Sequence, residues 1–359
     1  MAATQPTVVI TGIAGNLGLR LLSYLSEFRV VGVDFREPRT DLPVQFEKLD
    51  LGDEASCRDL YTLVREVRAA AVIHLAFILD PVRTGITDVD RMWHINVAGT
   101  GRVMEAVTEA NRDEALVQKF VFPSSVAVYG PNPSGAVTED APLAAHTLPY
   151  AMHKMECDKV VQQRATALRG CSVYLLRPHI MTGPTMDNYM VGAFRGTPNG
   201  KGKRAARMRE QGKRLPCMLP YGQRYLDNRL QFVHVDDVAR LIAHIVRKTQ
   251  PEAQRLSVLN VAGRGDPLSF GRCIEMAQAR LVRVPGKIAM RMVLNYLWKF
   301  GISAIPPEAL PYMTNEYIMS TDRLKKFLAG QYETVIQYSV EEAFAACFEP
   351  VEAAARKTA

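Results

Sequence analysis

Apolar positions in the first 180 residues follow two alternating periods. Val8-Val9-Ile10 is a short continuous run ending in glycines, and Leu17 to Leu25 then shows helical spacing. Arg29–Val33 and Phe46–Leu49 read as a second and a third strand. Glu54–Arg68 is an amphipathic helix with Leu60, Leu63, Val64 and Val67 on one face. Ala71–Leu75 is a fourth strand, Val89–Ala110 a long helix, and Phe120–Phe122 a fifth strand. Tyr150–Leu168 is a helix and Ser172–Leu176 a sixth strand. Strands alternating with helices of this length imply an α/β chain whose doubly wound parallel sheet is covered on both faces.

After Pro178 the regularity fails. Pro184, Pro198, Pro216 and Pro220, with several glycines, mark an irregular insertion. Phe232–Val235, the helix 236–246 that follows it, and Leu256–Val261 return to the main domain. Beyond them lie a helical stretch at Ile288–Phe300, the turn Ile305-Pro306-Pro307 and a short helix at Asp322–Leu328. The expected organisation is a nucleotide-binding domain over 1–178, re-entered by about 230–262. A smaller C-terminal substrate-binding domain is built from 179–229 and 263–359.

Composition sharpens this picture in two places. The six cysteines are scattered with no C-x-x-C pair, which excludes a disulfide frame or zinc site and fits a reduced, cytoplasmic protein with no metal. No stretch approaches a membrane span, and residues 1–6 lack the features of a secretory signal. The net charge of +7 is local: eight basic residues and one acid, Glu210, lie between Arg195 and Arg214, and the rest of the chain is neutral. That run reads as a solvated face or as a clamp for a substrate phosphate or carboxylate. Nucleic acid is not expected as a partner, because no aromatic residue is interleaved between Lys201 and Arg214 for base stacking.

The turn Gly12-Ile13-Ala14-Gly15-Asn16-Leu17-Gly18 follows the first strand directly and opens a helix. Gly12 permits the tight turn, Gly15 lets the backbone approach a pyrophosphate, and Gly18 allows close helix–sheet packing. Free N–H groups at the helix start would hold the phosphates. Asp34 ends the second strand, where a carboxylate accepts hydrogen bonds from ribose hydroxyls and repels a 2′-phosphate. The expected fold is therefore Rossmann-type and the expected cofactor NAD. Arg36 and Arg39 keep NADP open as the less favoured choice. Asp50 and Leu51 end the third strand where adenine would lie, with a capping role for Asp50 or Asp53 as the alternative.

Tyr150 and Lys154 stand one helical turn apart on one face. A tyrosine can act as a base near neutrality only beside cations, which a lysine and an oxidised nicotinamide would provide. Ser124 and Ser125 begin a segment at the end of the fifth strand, on the side of a parallel sheet where ligands bind.

These motifs resemble the extended short-chain dehydrogenase/reductases of the NAD-dependent epimerase/dehydratase type. The resemblance rests on Thr11–Gly18, Asp34, His74-Leu75-Ala76, Asn96–Thr100, Ser125 with Tyr129-Gly130, Tyr150 with Lys154, Leu176-Arg177-Pro178 and Phe232–Asp237. It implies that Tyr150 is the acid/base, that Lys154 binds the nicotinamide ribose and lowers the Tyr150 pKa, and that Ser125 orients the substrate. It also implies Asn96 as a fourth active-site residue, and Leu75, Ala76 and Pro178 beside the cofactor. A homodimer paired through the Val89–Ala110 and Tyr150–Leu168 helices follows from the same resemblance.

Departures from the family narrow the chemistry. Val126 and Ala127 stand where sugar dehydratases carry an acidic pair, so water elimination lacks its acid. Ile180, Leu230-Gln231 and Thr321-Asp322-Arg323 replace the residues with which UDP-sugar epimerases grip the nucleotide. The leading expectation is an NAD-dependent epimerase or dehydrogenase acting on a sugar-like secondary alcohol or ketone. A reductase of an apolar ketone is the alternative, because Ile288–Phe300 could cover an apolar substrate. A non-catalytic NAD-sensing or RNA-binding protein is the rival of another class.

Overall fold

The computed structural model describes residues 5–38, 42, 44–133, 135–248 and 255–350. The reading of residues 1–4, and Arg39 as a 2′-phosphate ligand, lie outside that set. Seven strands form the central sheet: β1 (Thr7–Thr11), β2 (Arg29–Asp34), β3 (Gln45–Lys48), β4 (Ala69–His74), β5 (Lys119–Pro123), β6 (Ser172–Pro178) and β7 (Leu256–Val261). All pairs are parallel, in the order β3-β2-β1-β4-β5-β6-β7. The helices used below are α1 (Asn16–Leu21), α2 (Ser56–Glu66), α3 (Gly99–Ala110), α4 (Pro149–Arg164), α5 (Lys203–Glu210), α6 (Val235–Arg247) and α7 (Gly286–Lys299).

The period of two along a strand divides the core. Val8 and Ile10 of β1 pack beneath Ala239, Ile242 and Ile245 of α6. Val9, which aligns with Val31 and Val72, packs beneath Leu60 and Val64 of α2, Val107 of α3 and Val161 of α4. A third core joins Phe194, Phe232, Phe270 and Phe344 to Val126–Tyr129 and to Ala151 of α4. This third core sets the walls of the site against the end of the sheet.

Three sequence expectations differ from the structure. The long helix 89–110 is interrupted: Val89–Trp93 is helical, His94–Ala98 is a π turn and α3 follows. Phe232–His234 does not rejoin the sheet but pairs in parallel with Ile180–Thr182. β6 ends at Pro178, and the His179 N–H makes its last bond to β7, at the Val261 carbonyl (2.8 Å), before the chain turns to Ile180–Thr182. The basic segment is not one irregular loop, because α5 lies within it. Three of its arginines hold backbone carbonyls: Arg195 those of Cys347, Met186, Gly183 and Pro184; Arg209 those of Pro198 and Gly200; Arg214 those of Arg195 and Phe194.

Gly18 shows how tightly α1 sits on the turn before it. A Cβ there would lie 2.6 Å from the Ile13 carbonyl oxygen and 2.7 Å from that of Gly12. Gly18→Ala is expected to cost about 1–3 kcal/mol through backbone displacement, read as a lower denaturant midpoint.

Candidate active site

The turn after β1 is built by contacts that only glycine allows. Gly12 has φ +75°, its N–H donates to the Val33 carbonyl (2.7 Å), and a Cβ would fall 2.5 Å from the Ala76 nitrogen. Asp34 sits beside this turn, its carboxylate accepting from the backbone N–H of Ala14 (3.1 Å) and of Arg36 (3.2 Å). Burial raises its pKa on balance, with those amides opposing the rise. Arg36 is exposed, with its guanidinium over the Phe35 ring and one nitrogen 3.3 Å from the Thr84 carbonyl. The Asn16 amide donates to the Thr185 carbonyl (3.0 Å), tying the start of α1 to the loop beyond Ile180–Thr182. A glycine cradle with a carboxylate beside it fits a dinucleotide whose ribose is not phosphorylated.

Leu75 and Ala76 line the same turn through backbone bonds to Thr11. His74 is a buried brace: its ring bonds the hydroxyls of Thr11 (2.7 Å) and Thr100 (3.0 Å) and stacks on Phe122. Burial, with Lys154 nearby, lowers its pKa to about 3, so it is neutral. Asp50 does not cap α2, whose N-cap is Ala55 without a side-chain bond, but closes a local turn. Its carboxylate accepts from the Gly52 N–H (2.8 Å) and pairs with Arg91 (2.8 Å), while the Leu51 carbonyl accepts from Arg102.

Tyr150 stands at the start of α4, which the preceding Leu148 and Pro149 open with proline in the first turn. Burial raises the Tyr150 pKa, and the neighbouring Ser125 side chain partly offsets the rise. Ser125 caps the short helical turn Val126–Tyr129, accepting from the Ala127 N–H (3.1 Å). Phe77 meets the Tyr150 ring edge-on at 6.0 Å. Lys154, one turn further along, is buried beneath them: it donates to the Pro123 carbonyl (2.7 Å), and its ammonium lies 3.9 Å from the Phe77 ring centroid. Burial lowers its pKa to about 8. The expectation that Lys154 lowers the Tyr150 pKa is not what this arrangement gives. Burial prevails over the effect of Ser125, and the phenol stays above its ordinary value.

Asn96, expected in the same set, lies fully buried in the π turn. Its side chain accepts from the Ile78 N–H (2.7 Å), donates to the Ile78 carbonyl (3.2 Å) and meets His153 (3.2 Å). It braces the loop after β4 against α4.

Sequence reasoning missed the group that holds these parts together. Asp158, four residues after Lys154 on the buried face of α4, forms a bidentate pair with Arg177 of β6 at 2.9 Å on both arms, and it accepts from the Ser124 hydroxyl (2.8 Å). Arg177 also donates to the Tyr129 hydroxyl and the Glu139 carbonyl. An acidic residue one turn after the lysine was the available signal.

In front of Tyr150 lies a cavity of about 190 Å³. Ser125, Tyr150 and Pro178 line it, as do Asp80, Asp187, Tyr189, Tyr312 and several methionine and leucine side chains. Burial raises the Tyr189 pKa, with Asp80 and Tyr150 adding to the rise. Among the described residues, neither lysine nor arginine lines this cavity or the smaller one beside Met290 and Leu294. Arg229 is paired with Glu316, and Arg323 with Glu139 and Asp140. No group of described residues could hold a metal ion.

A glycine turn after β1, an acid ending β2 and this strand order define the dinucleotide-binding class of α/β fold. The chain belongs to the NAD dependent epimerase/dehydratase family, whose sequence model matches residues 8–262. It is 29% identical over 163 residues to an uncharacterized epimerase/dehydratase of Staphylococcus aureus (strain USA300), a match covering 43% of this chain and 47% of that protein. The match thus spans about half the length of the curated relative. Several solved structures share the fold. MoeE5 in complex with UDP-glucuronic acid and NAD has a TM-score of 0.64 at 20% identity, over 98% of this chain and 99% of that one. UDP-glucose 4-epimerase of Thermus thermophilus, in complex with NAD, has 0.65 at 20% identity, over 95% and 97%. UDP-glucuronic acid 4-epimerase of Bacillus cereus, with UDP-glucuronic acid and NAD, has 0.62 at 19% identity, over 95% and 98%.

Lys154 makes the electrostatics testable. Its pKa is depressed in the folded protein, so the unfolded chain binds more protons between about pH 8 and pH 10.5. The penalty is full below pH 8 and is relieved as pH rises through that window. Relative to Lys154→Met, the native protein should therefore gain on the order of 3 kcal/mol across it, measured by urea unfolding of the free protein at each pH.

Proposed function

We propose that this chain is an NAD-dependent epimerase or dehydrogenase acting at a secondary alcohol or ketone carbon of a sugar-like substrate. The observation that carries this reading is that Ser125 and Tyr150 line one substrate-sized cavity at the carboxyl ends of the strands. Gly12–Gly18 would hold the cofactor's pyrophosphate and Asp34 its adenosine ribose, with Arg36, Leu75, Ala76 and Pro178 beside it. NADP is disfavoured by the Asp34 carboxylate. When bound, the oxidised nicotinamide supplies a hydride acceptor and a positive charge.

The protein's own groups handle the proton. As the substrate alcohol becomes a carbonyl, the Tyr150 phenolate accepts the hydroxyl proton, and it returns that proton when the carbonyl is reduced. Ser125 holds the substrate oxygen beside the phenol. Lys154 stays fixed on the Pro123 carbonyl, where it anchors the base of α4 and can reach a ribose hydroxyl. Burial raises the Tyr150 pKa in the protein alone, so the cationic nicotinamide would have to favour the phenolate.

Two features bear on the substrate. Among the described residues neither lysine nor arginine lines the cavity, so a diphosphate there would lack a counter-ion. This supports a sugar-like substrate without a nucleotide diphosphate. The organisation into a nucleotide-binding part over 1–178 and 230–262 with a substrate part from the remainder is supported by α6, which packs on the central sheet, and by β7, which pairs with β6 in it.

We also propose a homodimer. Val89 and Trp93 before the π turn, and Met152 on α4, are large apolar residues left exposed on the helices that would pair. The described cysteines are all free, which supports a reducing, cytoplasmic setting. No described helix is long and apolar enough to cross a membrane.

Free sugars, sugar alcohols and UDP-sugars incubated with NAD and followed at the NADH absorbance, with epimer formation read by chromatography, test the reaction. Turnover is expected with a substrate lacking the diphosphate. Tyr150→Phe should lower it about 10²–10⁴-fold while NAD still binds, and undiminished turnover in that variant would sink the mechanism. Trp93→Glu with Met152→Glu should shift sedimentation from dimer to monomer at micromolar concentration. A wild-type chain that sediments as a monomer would remove the dimer.

A further inference from the structure

Helix α7 is apolar on two opposite faces. Met290 and Leu294 are buried against Val284 and Leu310. The other face lies in solvent: Ile288 is 80% exposed, Met292 63%, Tyr296 46%, and Phe300 at the helix end 56%. These four recur at every fourth residue, so they form one slowly winding stripe. A helix apolar all round is ordinarily buried, and a contiguous exposed apolar stripe marks an interaction surface.

Cations rim the stripe on both sides. Lys287, Arg291 and Lys299 each precede a stripe residue by one position, a rotation of about 100°, and all three are exposed. On the other side α5 crosses close by, with the Arg204 guanidinium 3.3 Å from the Tyr296 hydroxyl. Exposed Lys203 and Arg207 lie on the same helix. No acid occurs between residues 286 and 307. Arg195, Arg209 and Arg214 hold backbone carbonyls, whereas Arg204 reaches the α7 stripe directly.

We propose that the α7 stripe and its basic rim form a peripheral docking surface for an anionic lipid bilayer. A bilayer surface offers an apolar layer and a sheet of negative charge in one plane, which is the pattern this face presents. Long lysine and arginine stems lie along apolar surface while their charged ends reach the headgroups. Nucleic acid fits less well. Tyr296 and Phe300 are packed on each other at 4.5 Å with their rings tilted by 42°, so they offer no open stacking platform. This inference does not depend on the reaction at Tyr150.

The test is co-sedimentation of the full chain with vesicles of phosphatidylcholine containing about one third phosphatidylserine, against phosphatidylcholine alone. Binding is expected to be at least about tenfold tighter on the anionic vesicles and to weaken with added salt. Ile288→Glu with Met292→Glu should abolish it, and Lys203→Glu with Arg204→Glu should weaken it about tenfold or more. Both pairs are exposed, and an unchanged unfolding midpoint shows that the variants fold. No binding to either vesicle would overturn the proposal, as would equal binding to both. So would self-association lost in Ile288→Glu/Met292→Glu, or RNA retention in place of lipid binding.

Discussion

The Asp158–Arg177 pair is the contact on which the site depends. Both side chains are almost completely buried, so each charge is tolerable only because the other is there. The pair joins the middle of α4 to β6, reaches Ser124 at the end of β5, and extends through Tyr129 to Asn260 in β7 (2.6 Å). The Asn260 N–H in turn donates to Glu139 (2.9 Å). Four segments far apart in sequence are thereby fixed to one point. Ser125 follows Ser124 directly, and Tyr150 lies two helical turns before Asp158. The hydroxyl pair in the cavity is therefore positioned from below by charge-assisted bonds that do not touch the substrate. Loss of either partner would strand a buried charge, a cost of about 3–5 kcal/mol.

Most of the sheet was legible because its signals are local. Buried runs such as Val8–Ile10 and the glycine turn after them depend on neighbours in sequence, and their structure follows the expected pattern. Ser125 and Tyr150 come to line one cavity, and Asp34 stands beside the glycine turn. What was not legible depends on distant partners. The destination of Phe232–His234 is set by Ile180–Thr182, its partner beyond the end of β6. The roles of Asp50 and Asn96 are set by Arg91, Ile78 and His153, which no periodicity connects to them. Asp80 and Tyr189 reach the cavity from segments with little regular pattern. The basic segment was the least legible, since charge along a sequence does not reveal which guanidinium groups will turn inward to carbonyls.

Charge and apolar surface are divided between two regions of the molecule. The cavity beside Tyr150 is mostly apolar and lined by no described lysine or arginine, whereas the surface of α5 and α7 is basic and apolar. Asn199 connects them: it lines the cavity, and its side-chain oxygen accepts from the Ala304 N–H (2.8 Å) just beyond α7. The close approach of Gly200 and Gly202 to Gly301 makes the same junction rigid, since a Cβ at Gly200 would fall 2.1 Å from the Gly301 oxygen. The positively charged face and the substrate cavity are therefore mechanically joined, although only the face is basic.

The π turn at His94–Ala98 has a consequence for the phase of its helix. One extra residue in a turn rotates everything after it by about 100° relative to an uninterrupted α-helix. Before the turn, Val89 and Trp93 face solvent; after it, Val103, Met104 and Val107 face the sheet. A straight helix through the same residues would have one apolar stripe and a single neighbour. The slip gives this segment two bearings: one half serves the interior, and the other is free to meet a second surface.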